Sequence, residues 1–336
     1  MCMKLMRSIA VFMLLMMATT MVFAGGEQEA AATGDEPLKI AVVMPSAITD
    51  LAFSQSMWDA LTTVQGEMGG ESALALVYSE NMFNLPDAAS AIRDYASQGY
   101  DIVIAHGSQY GSLVQEIAPD FPETVFPWGT DVNTYGLDNV YAYTAAAEQG
   151  GYINGVLAAL LNKNGRLGVT GPIEVGDAKT YIDGFVQGVK SVNDKISISK
   201  TWTGSFSDVA LMTAAAQTHI ANGAESLTGS SQSVVGSIGA AKVAGDVYWF
   251  GTQSDQASLA PKLVVASQVY DWTGMLREII SNRQSGKMGG DTYVLTLANG
   301  GLRMAYNPSF KLAADIRAKA DAAVEGIKSG SIKPMP

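Results

Sequence analysis

Few residues of this 336-residue chain are suited to making or breaking bonds. It has two histidines, His106 and His219, and one cysteine, Cys2. His219 falls inside the helical stretch ALMTAAAQTHIANG, where a packing role is expected. His106 follows an apolar run and opens the turn His106-Gly107-Ser108. It is a candidate ligand contact, although a turn histidine more often bonds local backbone. Two distant histidines without a nearby thiol do not compose a zinc site. Neither a G-x-S-x-G elbow nor a G-x-x-x-x-G-K-[ST] loop occurs. Turns such as Gly165-Arg166-Leu167-Gly168 lack the spacing of a dinucleotide fingerprint. The sequence therefore predicts neither catalysis, nor a metal, nor a cofactor.

The chemistry it does offer is stacking and neutral hydrogen bonding. The stretch Thr49-Asp50-Leu51-Ala52-Phe53-Ser54 places an aromatic at a loop-to-helix junction, flanked by Asp50 and Ser54. The Phe53 ring is either a stacking platform or a first-turn core residue; stacking on a base is worth roughly 1–3 kcal/mol. Phe206 precedes Ser207 and Asp208, either of which can cap the next helix. It reads as a hydrophobic staple or as a ring closing over a ligand. Gly229-Ser230-Ser231-Gln232 and Gly251-Thr252-Gln253-Ser254-Asp255 supply hydroxyl, amide and carboxylate groups in turns, and Asp131 follows another strand. Arg and Lys, the usual partners of phosphate and carboxylate, are sparse at these places. A neutral polar ligand is favoured over a nucleotide or an organic acid, even though helix N-termini can bind anions through backbone alone.

The elements that must carry these groups alternate. Apolar runs at 39–44, 74–78, 101–105 and 124–128 read as buried strands, with helical spacing at 53–66, 87–99 and 113–118 between them. The pattern restarts with a small-residue-rich helix at 146–161 and continues through strands at 166–170, 196–202, 224–228, 247–251 and 263–270, with helices at 181–192, 207–222, 234–244 and 272–284. A terminal helix over 313–327 is expected to cap a lobe. Alternation of this kind predicts an α/β protein with two doubly wound parallel-sheet lobes. One lobe is expected over 37–142 plus about 271–297, the other over 143–270 plus about 298–336, joined by linkers near 141–144, 269–272 and 295–301. Ligands of open α/β sheets sit beyond the strand C-termini, so the cleft between the lobes is the expected site.

Lys4 and Arg7 precede an almost unbroken apolar run over 8–22, and Val22-Phe23-Ala24 offers small residues before a cut. This predicts a secretory signal peptide cleaved near Ala24. Cys2 lies ahead of that run, so a lipid-anchored cysteine is not expected, and a soluble periplasmic protein is. Residues 25–36 are small, polar and acidic and read as a flexible linker. The formal net charge is −11, and loss of Lys4 and Arg7 makes it more negative, which disfavours nucleic acid as a partner.

Several segments then occur in a telling order: AFSQSMWDAL (52–61), EQGGYINGVLAALL (148–161), GRLGVTG (165–171), DGFVQGVKSVN (183–193), TGSFSD (203–208), and GTQSDQASLAP (251–261) followed by VVASQVYD (264–271). The set resembles the basic membrane protein family, the PnrA-like substrate-binding lipoproteins of ABC importers. That resemblance implies a type I periplasmic-binding fold, a monomer that delivers its ligand to an ABC permease, and a purine nucleoside held between aromatics. Carried over by position, Phe53 and Phe206 match the stacking rings, Asp131 lies near the family's strand-end aspartate, and Gly229 to Gln232 cover the turn beside the base. Where the family commonly has aspartate and lysine on the sugar side, this chain has Gln253 and Tyr270, and Ser54 replaces an asparagine. A free nucleobase thus fits about as well as a nucleoside. Another small neutral solute such as a simple sugar, or a receptor presenting its ligand to a membrane sensor, are the alternatives.

Overall fold

The computed structural model describes residues 36–335. The expected signal peptide, the cleavage site at Ala24 and nearly all of the 25–36 linker lie outside the described residues.

The chain first alternates β1 (Leu38–Val43), α1 (Phe53–Met68), β2 (Leu74–Ser79), α2 (Leu85–Ser97), β3 (Ile102–His106), α3 (Gly111–Ile117), β4 (Phe126–Gly129) and β5 (Val140–Ala145). It continues with α4 (Glu148–Leu161), β6 (Arg166–Gly171), α5 (Gly176–Val192), β7 (Ser197–Trp202), α6 (Val209–Ala221), β8 (Ser226–Gly229), α7 (Val234–Ala244), β9 (Tyr248–Gly251) and β10 (Val264–Tyr270). It closes with α8 (Thr273–Gln284), β11 (Thr292–Leu295), β12 (Leu302–Tyr306) and α9 (Ala314–Lys328).

Two six-stranded sheets result. The first runs β11-β5-β4-β3-β1-β2 and the second β12-β10-β9-β8-β6-β7. All pairings are parallel except β10 with β12. Strands covered on both faces must be apolar along their whole length. Accordingly β3 and β10 are buried at every residue, whereas the edge strand β7 has only exposed and half-buried positions. Helix ends follow the local chemistry. Gly69 (φ +110°) and Gly245 (φ +88°) close α1 and α7 in the left-handed conformation that glycine adopts without a Cβ penalty. Asp208 accepts a hydrogen bond from the Leu211 amide at 2.9 Å and caps α6.

The sequence reading missed β5, β11 and β12. Residues 141–144, expected as a linker, lie inside β5, where Tyr141 and Tyr143 are fully buried. The chain passes from the first sheet to the second one step later, between β5 and α4, and passes again between β10 and α8 and between β11 and β12. β11 and β12 are only partly buried, so no continuous apolar run marks them. Trp272 sits at the second of these passages, fully buried, donating from Nε1 to Ser56 Oγ at 3.0 Å.

Candidate functional site

A narrow cleft opens where the C-terminal ends of the two sets of strands face each other. Phe53 at the start of α1 and Thr130 after β4 line it from the first sheet. From the second sheet come Asp177 at the start of α5, Phe206 before α6, Ser230 and Gln232 after β8, and Gln253 after β9. The two loop systems are tied across the gap. Ser254 Oγ donates to the Ala52 carbonyl at 2.8 Å, and Gln256 Nε2 donates to the Leu51 carbonyl at 3.1 Å. Gln256 is itself fixed by Trp249 Nε1, which donates to its Oε1 at 2.7 Å.

His106 is not at the cleft surface. It is fully buried beneath Phe53, the two rings stacked at 3.8 Å and 8°. Its Nε2–H donates to the Phe53 carbonyl at 3.0 Å, so Nδ1 accepts from the Tyr143 hydroxyl at 2.8 Å. Both nitrogens are occupied, and the ring is a buttress that sets the plane of Phe53. Burial pushes its pKa from 6.5 down to about 3, the Phe53 carbonyl opposing weakly. A histidine that titrates near 6.5 when unfolded and near 3 when folded stabilises the fold above pH 6.5, and that stability drains away as pH falls. The stability gap between the wild type and His106→Asn, measured by urea unfolding, should shrink by about 2 kcal/mol from pH 7 to pH 5. A gap independent of pH would mean that the imidazole is not held neutral.

Four other sequence candidates serve their own loops. The Asp50 carboxylate accepts from the Ser46 hydroxyl and from the amides of Ala52 (2.8 Å), Gln55 (3.1 Å) and Ser54 (3.2 Å), organising the entry to α1. Burial raises its pKa despite these bonds. Ser54 is fully buried, its Oγ 2.8 Å from Ser46 Oγ. Asp131 is exposed and accepts from the Val132 and Asn133 amides in a tight Asx turn. The neighbouring Thr130 reaches the cleft in its place. Asp255 is likewise exposed and bonds the Ala257 amide at 3.0 Å. Gly229 is buried where a Cβ would meet the Thr170 carbonyl oxygen at 2.2 Å, so only glycine lets β8 approach β6 there.

The remaining candidates come together. Phe53 (5% exposed) and the half-buried Phe206 line the same space from opposite sheets. Ser231 and Ser233 donate to the Phe206 carbonyl at 2.7 and 3.1 Å and so hold its backbone. Ser230 Oγ, Gln232 Oε1 and Gln253 Oε1 are buried without a hydrogen-bond partner. Buried polar atoms normally find partners, and three orphans lining one cleft are groups suited to a ligand's donors. Gln253 adopts φ +73°, a conformation that side-chain-bearing residues rarely take, and its carbonyl accepts from the Tyr270 amide at 3.0 Å.

Sequence reasoning missed Asp177. Its Oδ2 accepts from the Tyr270 hydroxyl at 3.0 Å and from Gln253 Nε2 at 3.3 Å, and its Oδ1 from the Thr130 hydroxyl at 3.5 Å. Burial raises its pKa, opposed by the Tyr270 and Gln253 hydrogen bonds; burial likewise drives the Tyr270 phenol well above 10.0. Asp177 follows β6 by only a few residues, so inspection of that strand end would have found it.

Residues 38–333 match the sequence profile of the PnrA-like ABC transporter substrate-binding proteins. The chain belongs to that family. As a PnrA-like protein it is the ligand-capturing component of an ABC transporter, a family of extracytoplasmic carriers that bind a small molecule for a permease. A purine-binding protein of Brucella abortus (strain 2308) is 25% identical over 307 residues, 91% of this chain and 85% of its own. The ABC transporter nucleoside-binding protein BmpA of Lactococcus lactis subsp. cremoris is 25% identical over 305 residues, 84% of this chain and 86% of its own. Among solved structures, an ABC transporter solute-binding protein from Conexibacter woesei superposes with a TM-score of 0.73 at 24% identity, covering 89% of this PnrA-like chain and 98% of that one. The two-lobed α/β architecture expected from the sequence is thus the type I periplasmic-binding fold.

Proposed function

We propose that this PnrA-like protein captures a purine nucleoside or nucleobase in the interlobe cleft, stacked between Phe53 and Phe206, and passes it to its permease. The observation that carries this reading is the placement of those two rings on one narrow space from opposite sheets, beside the orphaned polar atoms of Ser230, Gln232 and Gln253. A flat, apolar-faced ring with polar edges matches such a slot: its faces meet the aromatics and its edge donors meet the oxygens. The names of the Brucella and Lactococcus relatives, purine-binding and nucleoside-binding, agree with it. Among the described residues no lysine or arginine lines the cleft, which suits an uncharged ligand better than a nucleotide.

The protein acts as a soluble periplasmic monomer, released near Ala24. Its lobes close by rotation about the three passages between the sheets, so that binding and closure are one coupled equilibrium. Calorimetry of the purified protein with purine bases, nucleosides, pyrimidines and simple sugars is the direct test. Binding of purines that is weakened by Phe206→Ala supports the reading. A response to sugars alone, indifferent to both phenylalanines, removes the purine assignment and leaves the transporter family untouched. Gln253 and Tyr270, standing where relatives commonly carry aspartate and lysine, should tilt the preference toward free bases over nucleosides.

A further inference from the structure

We propose that Asp177 sets the specificity of the cleft, selecting purines that carry an exocyclic amine over those that present only ring N–H and carbonyl groups. This rests on the purine reading above and names which purines the site accepts.

The argument starts from what each group at this corner can still do. A carboxylate only accepts hydrogen bonds, with about four positions across its two oxygens. Oδ2 of Asp177 takes two side-chain donors, from Tyr270 and Gln253, and backbone amides at the start of α5 also bond the carboxylate, while the side-chain contact of Oδ1 is the long 3.5 Å one to Thr130 across the cleft. Oδ1 therefore has acceptor capacity to spare. Because Asp177 must receive a donor, Gln253 is oriented with its amide nitrogen toward the carboxylate. Its Oε1 is left buried and without a partner in a side chain only 4% exposed. The hydroxyl of Tyr270 and one N–H of Gln253 are thus used on Asp177, and the acceptors this corner offers a ligand are a carboxylate oxygen and an amide oxygen.

Among the described residues no lysine or arginine lines the cleft to balance that carboxylate. Its support is the N-terminal turn of α5, where helix amides favour negative charge, and the two side-chain donors behind it. A ligand carbonyl placed against these two oxygens would face acceptors and would leave them unpaired. An –NH2 group has two hydrogens, one for Asp177 Oδ1 and one for Gln253 Oε1. The carboxylate stands in the first turn of α5, away from the β9 end that carries Gln253.

The experiment is calorimetry of the intact protein with adenine, guanine, hypoxanthine and xanthine, repeated with Asp177→Asn. The wild type should bind adenine or guanine about tenfold or more tightly than hypoxanthine and xanthine. Asp177→Asn should lose most of that preference, chiefly through weaker binding of the amino purine, while Phe206→Ala should weaken all four ligands together. Equal affinities of the wild type for amino and oxo purines, or a preference unchanged in Asp177→Asn, would overturn the assignment to Asp177. The purine reading would survive that outcome, because Phe206 dependence measures it separately. If neither these four nor their nucleosides bind, both fall. Should Asp177→Asn fail to fold, the wild-type series alone decides, since it must discriminate for the proposal to stand.

Discussion

Phe206→Ala is expected to lower affinity for a bound purine by about tenfold to a hundredfold without measurable loss of fold stability. Stacking of a base on an aromatic is worth roughly 1–3 kcal/mol, and each 1.4 kcal/mol is about tenfold in affinity. The Phe206 ring is half-buried, and its backbone is held by the hydroxyls of Ser231 and Ser233 whatever side chain it bears. Truncation therefore removes the ring and leaves the loop in place. Phe53→Ala should behave differently. That ring is 5% exposed, stacks on His106 at 3.8 Å and meets Trp272 edge-on at 6.5 Å. Its loss should weaken binding and also destabilise the fold by about 3–5 kcal/mol, the range for truncating a buried phenylalanine. Calorimetry and urea unfolding on the two variants separate the effects. An affinity that survives Phe206→Ala would mean that the ring does not cover the ligand.

A stability effect of comparable size should come from a place far from the ligand. Helices α4 and α5 pack backbone to backbone through four interlocked glycines. A Cβ on Gly155 would lie 2.1 Å from the Phe185 carbonyl oxygen, and one on Gly151 would lie 2.2 Å from that of Tyr181. From the other helix, Gly184 would meet the Glu148 carbonyl oxygen at 2.3 Å and Gly188 that of Tyr152 at 2.0 Å. These obstacles are main-chain atoms of a helix, which cannot rotate away as a side chain would. Gly188→Ala should therefore force the helices apart and cost about 3 kcal/mol or more, at or beyond the upper end for overpacking. Gly239→Ala is the control. It lies inside α7 with nothing within 4 Å of its ideal Cβ, and should stabilise the fold by about 0.4–1 kcal/mol through the unfolded chain. Equal urea midpoints for Gly188→Ala and the wild type would show that the helix pair yields more readily than its contacts imply. Because α5 also carries Asp177 at its first turn, a shift of that helix should disturb the cleft as well.

The sequence by itself determined the architecture and much of the slot. Apolar runs alternating with helical spacing are local patterns, imposed because a strand covered on both faces must be apolar throughout. They identified two rounds of β–α units and directed attention to the strand ends, where Phe53, Phe206, Ser230, Gln232 and Gln253 do line one cleft. The ordered segments from AFSQSMWDAL to VVASQVYD pointed to the family. Tertiary structure decided what each polar side chain at those ends is engaged with. Asp50, Asp131 and Asp255 carry the same charge as Asp177, yet they bond backbone amides within their own loops. Asp177 instead meets Thr130, Gln253 and Tyr270, which lie 47, 76 and 93 residues away in the chain. His106 follows a strand as a ligand contact would, but Phe53 and Tyr143 occupy both its nitrogens. The 146–161 stretch was legible as a small-residue-rich helix, yet its partner glycines on α5 emerge only once the two helices meet. A hydrogen bond or a close packing contact depends on where two atoms lie in space, and spacing along one segment does not encode the position of another.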